Sequence, residues 1–179
     1  VASRSKFFLS TLPKEDFPVM ASEEYDFEFT IKAKVIKRLF DKSKFAMSSE
    51  ETRYYLNGVY LHSCIENEKN ILRAVATDGH RLATSSALLN FSIDEIPGVI
   101  IPKKTINELS KLLSEDYENI EIDISSNKII FYIDKLILIS KLIDGNFPDY
   151  TRVIPKNNTN DLKINRENLL SAVDRVSTI

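Results

Sequence analysis

The sequence predicts an α+β fold built from two βαβββ halves, with antiparallel sheets and two helices on one face. Three observations predict it: the order strand, helix, three strands occurs twice, two segments have the spacing of amphipathic helices, and the other segments alternate with period 2. Strands in consecutive runs pair mainly antiparallel, and two helices can cover only one face of the resulting sheets. The chain of 179 residues is long enough for one large domain with flanking pieces.

The first half occupies residues 25 to 89. Its helix is predicted by an apolar stripe at positions i, i+1, i+4 and i+5, which begins at Val35. Its strands are predicted by apolar residues at alternate positions. In order, the predicted elements are a strand at Tyr25–Ile31, a helix at Lys32–Phe45, and strands at Tyr54–Ile65, Ile71–Thr77 and Arg81–Leu89.

The second half repeats this order between residues 98 and 143. Pro102 stands where a proline opens a helix, and Ser125-Ser126-Asn127 has the turn-prone residues of a hairpin loop. In order, the predicted elements are a strand at Gly98–Ile101, a helix at Lys103–Leu113, and strands at Ile120–Ile124, Ile129–Ile133 and Leu136–Leu142. A further helix is predicted from Asn165 to Ile179, where apolar residues recur on one face.

Composition excludes several classes of protein. Only four glycines occur, too far apart for the glycine-rich phosphate loops of Rossmann or Walker proteins. The single cysteine, Cys64, cannot form an internal disulfide, and two histidines with one cysteine are too few for a structural zinc site. No apolar run approaches the roughly 18 residues of a membrane-spanning helix. We therefore expect a soluble, cytoplasmic protein without a metal or other cofactor.

Positive charge is concentrated on the first predicted helix. Six basic residues and one acid lie between Lys32 and Lys44, a net charge of +5, whereas the other residues carry 18 basic and 25 acidic side chains. Both predicted helices also begin with lysines, which the positive end of the helix dipole opposes by up to ~1 kcal/mol per charge. A polyanion facing these helices would stabilise the arrangement through counterion release, so the pattern suggests nucleic-acid binding. A solvated face is the alternative.

The segment Asp78-Gly79-His80-Arg81, with Ser86 close behind it, is the strongest candidate for catalysis. A hydrolase needs a hydroxyl nucleophile, a histidine base and an orienting acid within hydrogen-bond reach. No G-x-S-x-G elbow and no H-E-x-x-H motif is present. An α+β hydrolase that uses Asp78 and His80 is therefore the alternative to a nucleic-acid-binding protein, from a different functional class.

Four short motifs are more specific than composition or charge. They are Arg53–Gly58 (RYYLNG), Ala76–Ala83 (ATDGHRLA), Ile101–Lys104 (IPKK) and Asp144–Tyr150 (DGNFPDY), the last running on to Pro155. In wording, order and spacing they resemble the bacterial DNA polymerase III β sliding clamp family, over essentially the whole chain. The resemblance implies that each protomer has three similar domains. Two protomers would close head to tail into a ring around duplex DNA, with helices lining the hole.

The resemblance also implies a domain organisation. Residues 1–22 would be the end of a first clamp domain and its linker, 23–155 a complete middle domain, and 156–179 the opening strand and helix of a third. Because the predicted helix at Asn165–Ile179 runs to the last residue, we expect a piece of a longer polypeptide. The full-length protein would be a homodimer, and the fragment alone a monomer.

The function implied by the resemblance is non-catalytic. A clamp holds its polymerase on DNA by topology, so it contacts the duplex without reading bases, and phosphate-binding cations suit that role. Tyrosines beside Arg53 would touch DNA near the channel edge. The expected DNA-contact residues are Lys32, Lys34, Lys37, Arg38, Arg53, Tyr54, Tyr55, Lys103 and Lys104.

The second implied activity is the docking of partner peptides. The DNA polymerase III catalytic subunit, the clamp loader, and other polymerases and repair proteins would insert a short peptide with hydrophobic anchors. A pocket with apolar walls, a few polar groups and a glycine for close approach suits such a peptide. The wall expected from matched motifs is Leu56, Thr77, Gly79, His80, Arg81, Leu82, Pro148, Arg152 and Val153.

Overall fold

The computed structural model describes residues 6–17, 25–89, 96–113 and 117–177. Contacts along the chain separate it into two units, Val1–Phe147 and Pro148–Ile179. In the described part of the first unit the helices and strands are β1 Phe27–Lys32, α1 Ala33–Ser43, β2 Gly58–Glu66, β3 Lys69–Thr77, β4 Leu82–Leu88, β5 Val99–Pro102, α2 Lys103–Leu112, β6 Asn119–Ile124, β7 Lys128–Ile133 and β8 Leu136–Lys141. This order confirms the predicted βαβββ repeat.

Two predicted stretches differ from the observed elements. The first helix ends at Ser43, and Lys44–Ala46 forms a 3-10 turn. The strand predicted from Tyr54 is wrong at its start, because Tyr54–Leu56 is a 3-10 turn and β2 begins only at Gly58. Residues 18–24, which contain the predicted domain junction, lie outside the described residues.

The strands form two antiparallel sheets of four, in the orders β1-β6-β7-β8 and β4-β3-β2-β5. Each sheet takes three strands from one half of the repeat and one strand from the other. Phe29 of β1 pairs with Ile122 of β6, and Val59 of β2 pairs with Ile101 of β5. The two halves are therefore interlocked through their backbone hydrogen bonds.

One apolar core joins the sheets to the two helices. The inward positions of the strands alternate as predicted, and Ile120, Ile122 and Ile124 of β6 are all buried. Ile36, Leu39 and Phe40 of α1 are fully buried as well, and α1 contacts strands of both sheets. Burial of one such leucine or isoleucine stabilises the fold by about 1.5–3 kcal/mol. The polar side of each helix is left facing outward.

The second unit contains one helix, α3, at Arg166–Ser177, within its described residues. The side chain of Asn165 accepts hydrogen bonds from the backbone N–H of Glu167 and Asn168, so it acts as the N-cap. The predicted helix is thus confirmed for its described part. Its apolar residues Leu169, Leu170, Val173 and Val176 are exposed. In the described parts of the chain, no helix has the length and apolar character that crossing a bilayer requires.

Candidate functional site

The basic residues of α1 divide into an outward group and a tethered group. Lys32, Lys34 and Lys42 are exposed. Lys37 is half-buried: its Nζ donates to Oδ2 of Asp41 at 2.8 Å and to the carbonyl of Ser110 on α2 at 3.1 Å. Lys37 therefore links the two helices and does not project freely. The six basic residues thus do not form a uniform stripe of exposed cations.

Asp41 is the counter-charge of this helix. Its carboxylate binds Lys37 through one oxygen and Lys44 through the other, the latter at 2.6 Å. Partial burial on its own would raise the pKa of Asp41, but the hydrogen bonds and charges of the two lysines outweigh burial and lower the pKa below 3.8. The aspartate is therefore ionised at neutral pH and neutralises part of the positive charge.

Arg38 is exposed but is also held in place. Its Nη2 donates to the carbonyl of Ser86 at 3.1 Å. Ser86 lies on β4, the edge strand of its sheet, so the guanidinium occupies part of an edge that a further strand would otherwise use.

A cleft of about 670 Å³ lies between the end of α1 and one side of α2. Four lysines line it together with one acid, and the full set is Lys44, Lys103, Lys104, Asn107, Glu108, Ser110 and Lys111. Neither α1 nor α2 has an acid in its first turn or a side-chain cap at its N-terminus. The N-terminus of α2, where Lys103 and Lys104 line the cleft, therefore keeps an uncompensated positive potential, and so does the N-terminus of α1, whose residues do not line it.

Two lysines of this cleft, Lys44 and Lys111, were not among the predicted contact residues. Lys111 was detectable from the sequence, because it follows Lys104 by seven positions and residues at that spacing share one helix face. Lys44 extends the cleft because the chain turns at Lys44–Ala46 beyond α1. The predicted residue Lys103 donates from Nζ to Oγ of Ser49 at 2.5 Å, whereas Lys104 is exposed.

The predicted DNA-contact tyrosines lie in the 3-10 turn before β2. Tyr54 is 53% exposed and meets Tyr55 edge to face, with ring centroids 5.9 Å apart. Gly145, on the segment after β8, lies against this pair: a Cβ there would stand 3.1 Å from Cβ of Tyr55 and 3.6 Å from Cε2 of Tyr54. Leu56, which closes the turn, is buried.

Arg53 precedes this turn and forms a two-pronged ion pair with Glu50. Nε donates to Oε2 at 2.9 Å and Nη2 donates to Oε1 at 2.7 Å. The hydrogen bonds to Glu50 raise the pKa of Arg53 further above its ordinary value. The guanidinium is therefore permanently charged and fixed in direction.

The loop between β3 and β4, residues 77–81, is held by its own side chains. Oδ1 of Asp78 accepts the backbone N–H of His80 at 2.9 Å and of Arg81 at 3.0 Å, and Oδ2 accepts Nε of Arg81 at 2.9 Å. Oγ1 of Thr77 accepts the N–H of Gly79 and donates to the carbonyl of Arg81. The two backbone hydrogen bonds, with the Arg81 side chain, lower the pKa of Asp78 to about 2.

This loop geometry does not support the hydrolase alternative. The oxygens of Asp78 are taken by its own backbone turn and by Arg81, so the carboxylate does not orient the His80 ring as a catalytic acid would. Oγ of Ser86 accepts from Nε of Arg73 at 2.9 Å. In the described residues no three His, Cys, Asp or Glu side chains lie close enough together to hold a metal ion.

Of the pocket residues predicted in the first unit, Thr77 is buried, Leu82 is half-buried, and Gly79, His80 and Arg81 are exposed. The guanidinium of Arg81 lies 6.0 Å from the ring centre of Phe45, an exposed aromatic residue that the sequence reasoning missed. The 77–81 loop therefore presents exposed backbone and a cation beside an aromatic ring.

The remaining predicted pocket residues, Pro148, Arg152 and Val153, belong to the second unit, and all three are exposed. Asp149 caps the 3-10 turn Tyr150–Arg152, which carries Arg152. Its Oδ1 accepts the N–H and the hydroxyl of Thr151, its Oδ2 accepts Nε of Arg152 at 2.8 Å, and the Thr151 hydroxyl contributes most to lowering the pKa of Asp149. An aspartate that caps a turn and holds the arginine three residues later thus occurs twice, at Asp78–Arg81 and at Asp149–Arg152.

Comparison with known proteins decides the family. Residues 30–149 match the model of the DNA polymerase III beta subunit, central domain. The chain belongs to the DNA polymerase III beta subunit family. It is 46% identical to the beta sliding clamp of Caulobacter vibrioides over 99% of the chain and 48% of that relative, and 39% identical to that of Escherichia coli K12.

Solved structures of the beta subunit family have the same fold. A Caulobacter crescentus beta sliding clamp has a TM-score of 0.92 at 46% identity, covering 98% of this chain and 47% of that one. A Bartonella birtlesii clamp bound to griselimycin has a TM-score of 0.85 at 48% identity, covering 94% of this chain and 45% of that one. The fold prediction is thereby confirmed. The chain spans about half the length of the beta subunits that it matches.

Proposed function

We propose that this chain is the central part of a DNA sliding clamp, a non-catalytic subunit that encircles duplex DNA in the cytoplasm and tethers the replicative polymerase. The observation that carries the proposal is the lysine-lined cleft between α1 and α2, in a chain that is similar to beta sliding clamps over nearly its whole length. Cations on helices without acidic caps attract phosphates without reading bases. The full-length protein would act as a homodimeric ring.

The proposed domain organisation follows the motifs. Residues 1–22 end a first domain, 23–155 form the middle domain, and 156–179 begin a third. The family match over residues 30–149 and the division of contacts after Phe147 support a domain of about this extent.

The proposed DNA interface consists of exposed cations and one turn. Lys104 lines the cleft with Lys44 and Lys111 and would contact phosphates directly, and Lys34, exposed on α1, would add a further phosphate contact. Lys37 and Arg38 contribute less to phosphate binding, because each already has a protein partner. The exposed ring of Tyr54 would lie against the duplex.

Duplex binding at low salt tests this interface. We expect the variant Lys34→Glu/Lys104→Glu to lose about tenfold or more in affinity for a fluorescein-labelled duplex measured by anisotropy. Lys135→Glu/Lys141→Glu, which reverses two exposed lysines on the β7–β8 turn and on β8, is the charge-matched control and should lose far less. Equal losses in the two proteins would contradict a localised interface.

In the first unit, the residues proposed for partner binding are the 77–81 loop with Leu56 and Leu82; in the second unit they are Pro148, Arg152 and Val153. It would take a hydrophobic peptide from the polymerase catalytic subunit, the clamp loader or repair proteins. Griselimycin, bound in the Bartonella birtlesii and Pseudomonas aeruginosa clamps, is a suitable probe. An exposed loop with preformed turns suits peptide capture, because its ordering cost is already met.

Calorimetric titration with griselimycin tests the partner site. We expect His80→Ala to weaken binding by about tenfold, since it removes an exposed ring from the proposed wall. His62→Ala, at a half-buried position of β2 outside the proposed site, should leave binding unchanged. Appearance of ester or phosphoester hydrolysis that depends on His80 would instead favour the hydrolase alternative.

A further inference from the structure

The side chain of Arg53 lies between two parts of the proposed binding surfaces. Its backbone starts the turn that carries Tyr54 and Tyr55, because its carbonyl accepts the N–H of Leu56 at 2.9 Å. Its guanidinium lies against the 77–81 loop: a Cβ on Gly79 would stand 2.5 Å from Nη1 and 3.6 Å from Cζ of Arg53. Any side chain at Gly79 would displace the guanidinium, and φ of +90° at this position also favours glycine.

Glu50 determines where that guanidinium lies. Its carboxylate takes Nε and Nη2 of Arg53, which leaves Nη1 directed at Gly79. Glu50 is itself fixed at both backbone groups: its N–H donates to Oγ of Ser48, and its carbonyl accepts from Nδ2 of Asn57, at the end of the turn. The backbone of Glu50 is therefore held in place, and only its side-chain torsions could let the carboxylate follow Arg53.

The loop on the other side is equally constrained. Asp78 and Thr77 fix the backbone around Gly79 with hydrogen bonds of 2.7 to 3.1 Å. A constrained loop that touches a fixed guanidinium has few ways to adjust locally. A displacement of Arg53 would remove the contact that the guanidinium makes with the loop at Gly79.

We propose that Glu50 is a positioning residue that holds Arg53 against Gly79, and that this contact couples the DNA-facing turn negatively to the peptide-facing loop. The proposal rests on the proposed function. A DNA phosphate near Tyr54 competes with the Glu50 carboxylate for the same N–H groups of Arg53. When the phosphate draws Arg53 away, the loop loses its support and binds peptide more weakly, and by linkage bound peptide weakens DNA binding by the same factor.

The test measures the griselimycin dissociation constant with and without a saturating short duplex. In the unmodified chain we expect the duplex to weaken griselimycin binding by about threefold or more. Glu50→Gln keeps the shape of the side chain but removes its charge. In this variant the duplex should change the griselimycin dissociation constant by less than about 1.5-fold, because Arg53 is already loosened. Glu51→Gln, the exposed neighbour, is the matched control and should behave like the unmodified chain.

Two outcomes overturn the coupling and leave the proposed function intact. One is that both ligands bind but the duplex has no effect on griselimycin in the unmodified chain. The other is that Glu50→Gln retains the full effect, which indicates direct overlap of the two ligands. Failure of either ligand to bind at all would overturn the proposed function and this inference with it.

A second readout needs no ligand. The amide resonances of Gly79 and His80 should shift in Glu50→Gln relative to the unmodified chain and stay in place in Glu51→Gln, because only Glu50 holds the guanidinium that touches this loop. Arg53→Lys, which cannot form the two-pronged pair, should shift the same amides. Unchanged amides in both Glu50→Gln and Arg53→Lys would contradict the proposal.

Discussion

Val59 on β2 pairs with Ile101 on β5, and both side chains are fully buried. The two residues come from different halves of the repeat, so this pair fastens one half to the other. The backbone of β2 approaches β5 closely here, because Gly58 and Pro102 face each other at the end of the ladder.

Replacing Gly58 by alanine should therefore destabilise the fold. The added Cβ would collide with the carbonyl oxygen of Ile101 and approach Cγ2 of Ile100 to 3.1 Å, so the strands must separate. We expect a loss of about 1–3 kcal/mol in the free energy of unfolding, measured with urea. Gly145→Ala is the control: its Cβ would meet only side-chain atoms, at 3.1 Å or more, and its loss should be smaller. Equal losses would argue against a tight β2–β5 contact.

Leu39 should be among the residues most sensitive to truncation. It is fully buried on α1, and Leu39→Ala leaves a cavity in the core that joins the helices to the sheets. The expected loss is about 2–5 kcal/mol in thermal or urea unfolding. Leu88→Ala removes the same atoms from a side chain that is 61% exposed, and should change stability by no more than ~0.5 kcal/mol.

Asp78 should make stability depend on pH in the acid range. Hydrogen bonds from the N–H groups of His80 and Arg81 lower its pKa from 3.8 to about 2, so the folded state favours the ionised form. The stabilisation by ionised Asp78 is complete above pH 3.8 and is lost as the pH falls through about 2. The difference in melting temperature between the unmodified chain and Asp78→Asn should be constant near neutral pH and shrink below 3.8. An NMR titration of the Asp78 carboxyl with a midpoint near 3.8 would contradict this.

Lys34 and Lys37 should differ in their contribution to DNA binding, although both lie on α1. Lys34 is exposed, so Lys34→Ala should reduce the slope of log affinity against log salt by about 0.9. Lys37 already binds Asp41 and the carbonyl of Ser110, so Lys37→Ala should reduce the slope by less than about half of that amount. Identical slopes for the two variants would show that the ion pair with Asp41 opens on binding.

Local patterns in the sequence were sufficient to predict most helices and strands. The spacing of apolar residues predicted α1, α2 and the strands to within a few residues, because each side chain on these elements is either buried or exposed with the period of its own backbone. The turn at Tyr54–Leu56 was missed, since two tyrosines before an alternating run are also typical of a strand.

The candidate sites were predicted in part. The motifs identified the 77–81 loop and the lysines at the start of α2, and charge counting identified α1. Neither approach could separate Lys34 from Lys37, or find Lys44 as a lining residue of the cleft, because the distinction depends on which partner lies across the gap. The contact of Arg53 with Gly79, 26 positions apart in the chain, gave no local signal.

The amino-acid sequence by itself determined the order of strands and helices, the positions that enter the core and the family to which the chain belongs. Tertiary structure alone decided that β1 joins β6 and β5 joins β2, and that Glu50 directs Arg53 onto the loop at Gly79. The physical reason is the distance along the chain over which each kind of interaction acts. Periodicity and capping act within a few residues, whereas strand pairing and the direction of a charged side chain are set by the lowest free energy among contacts between distant segments.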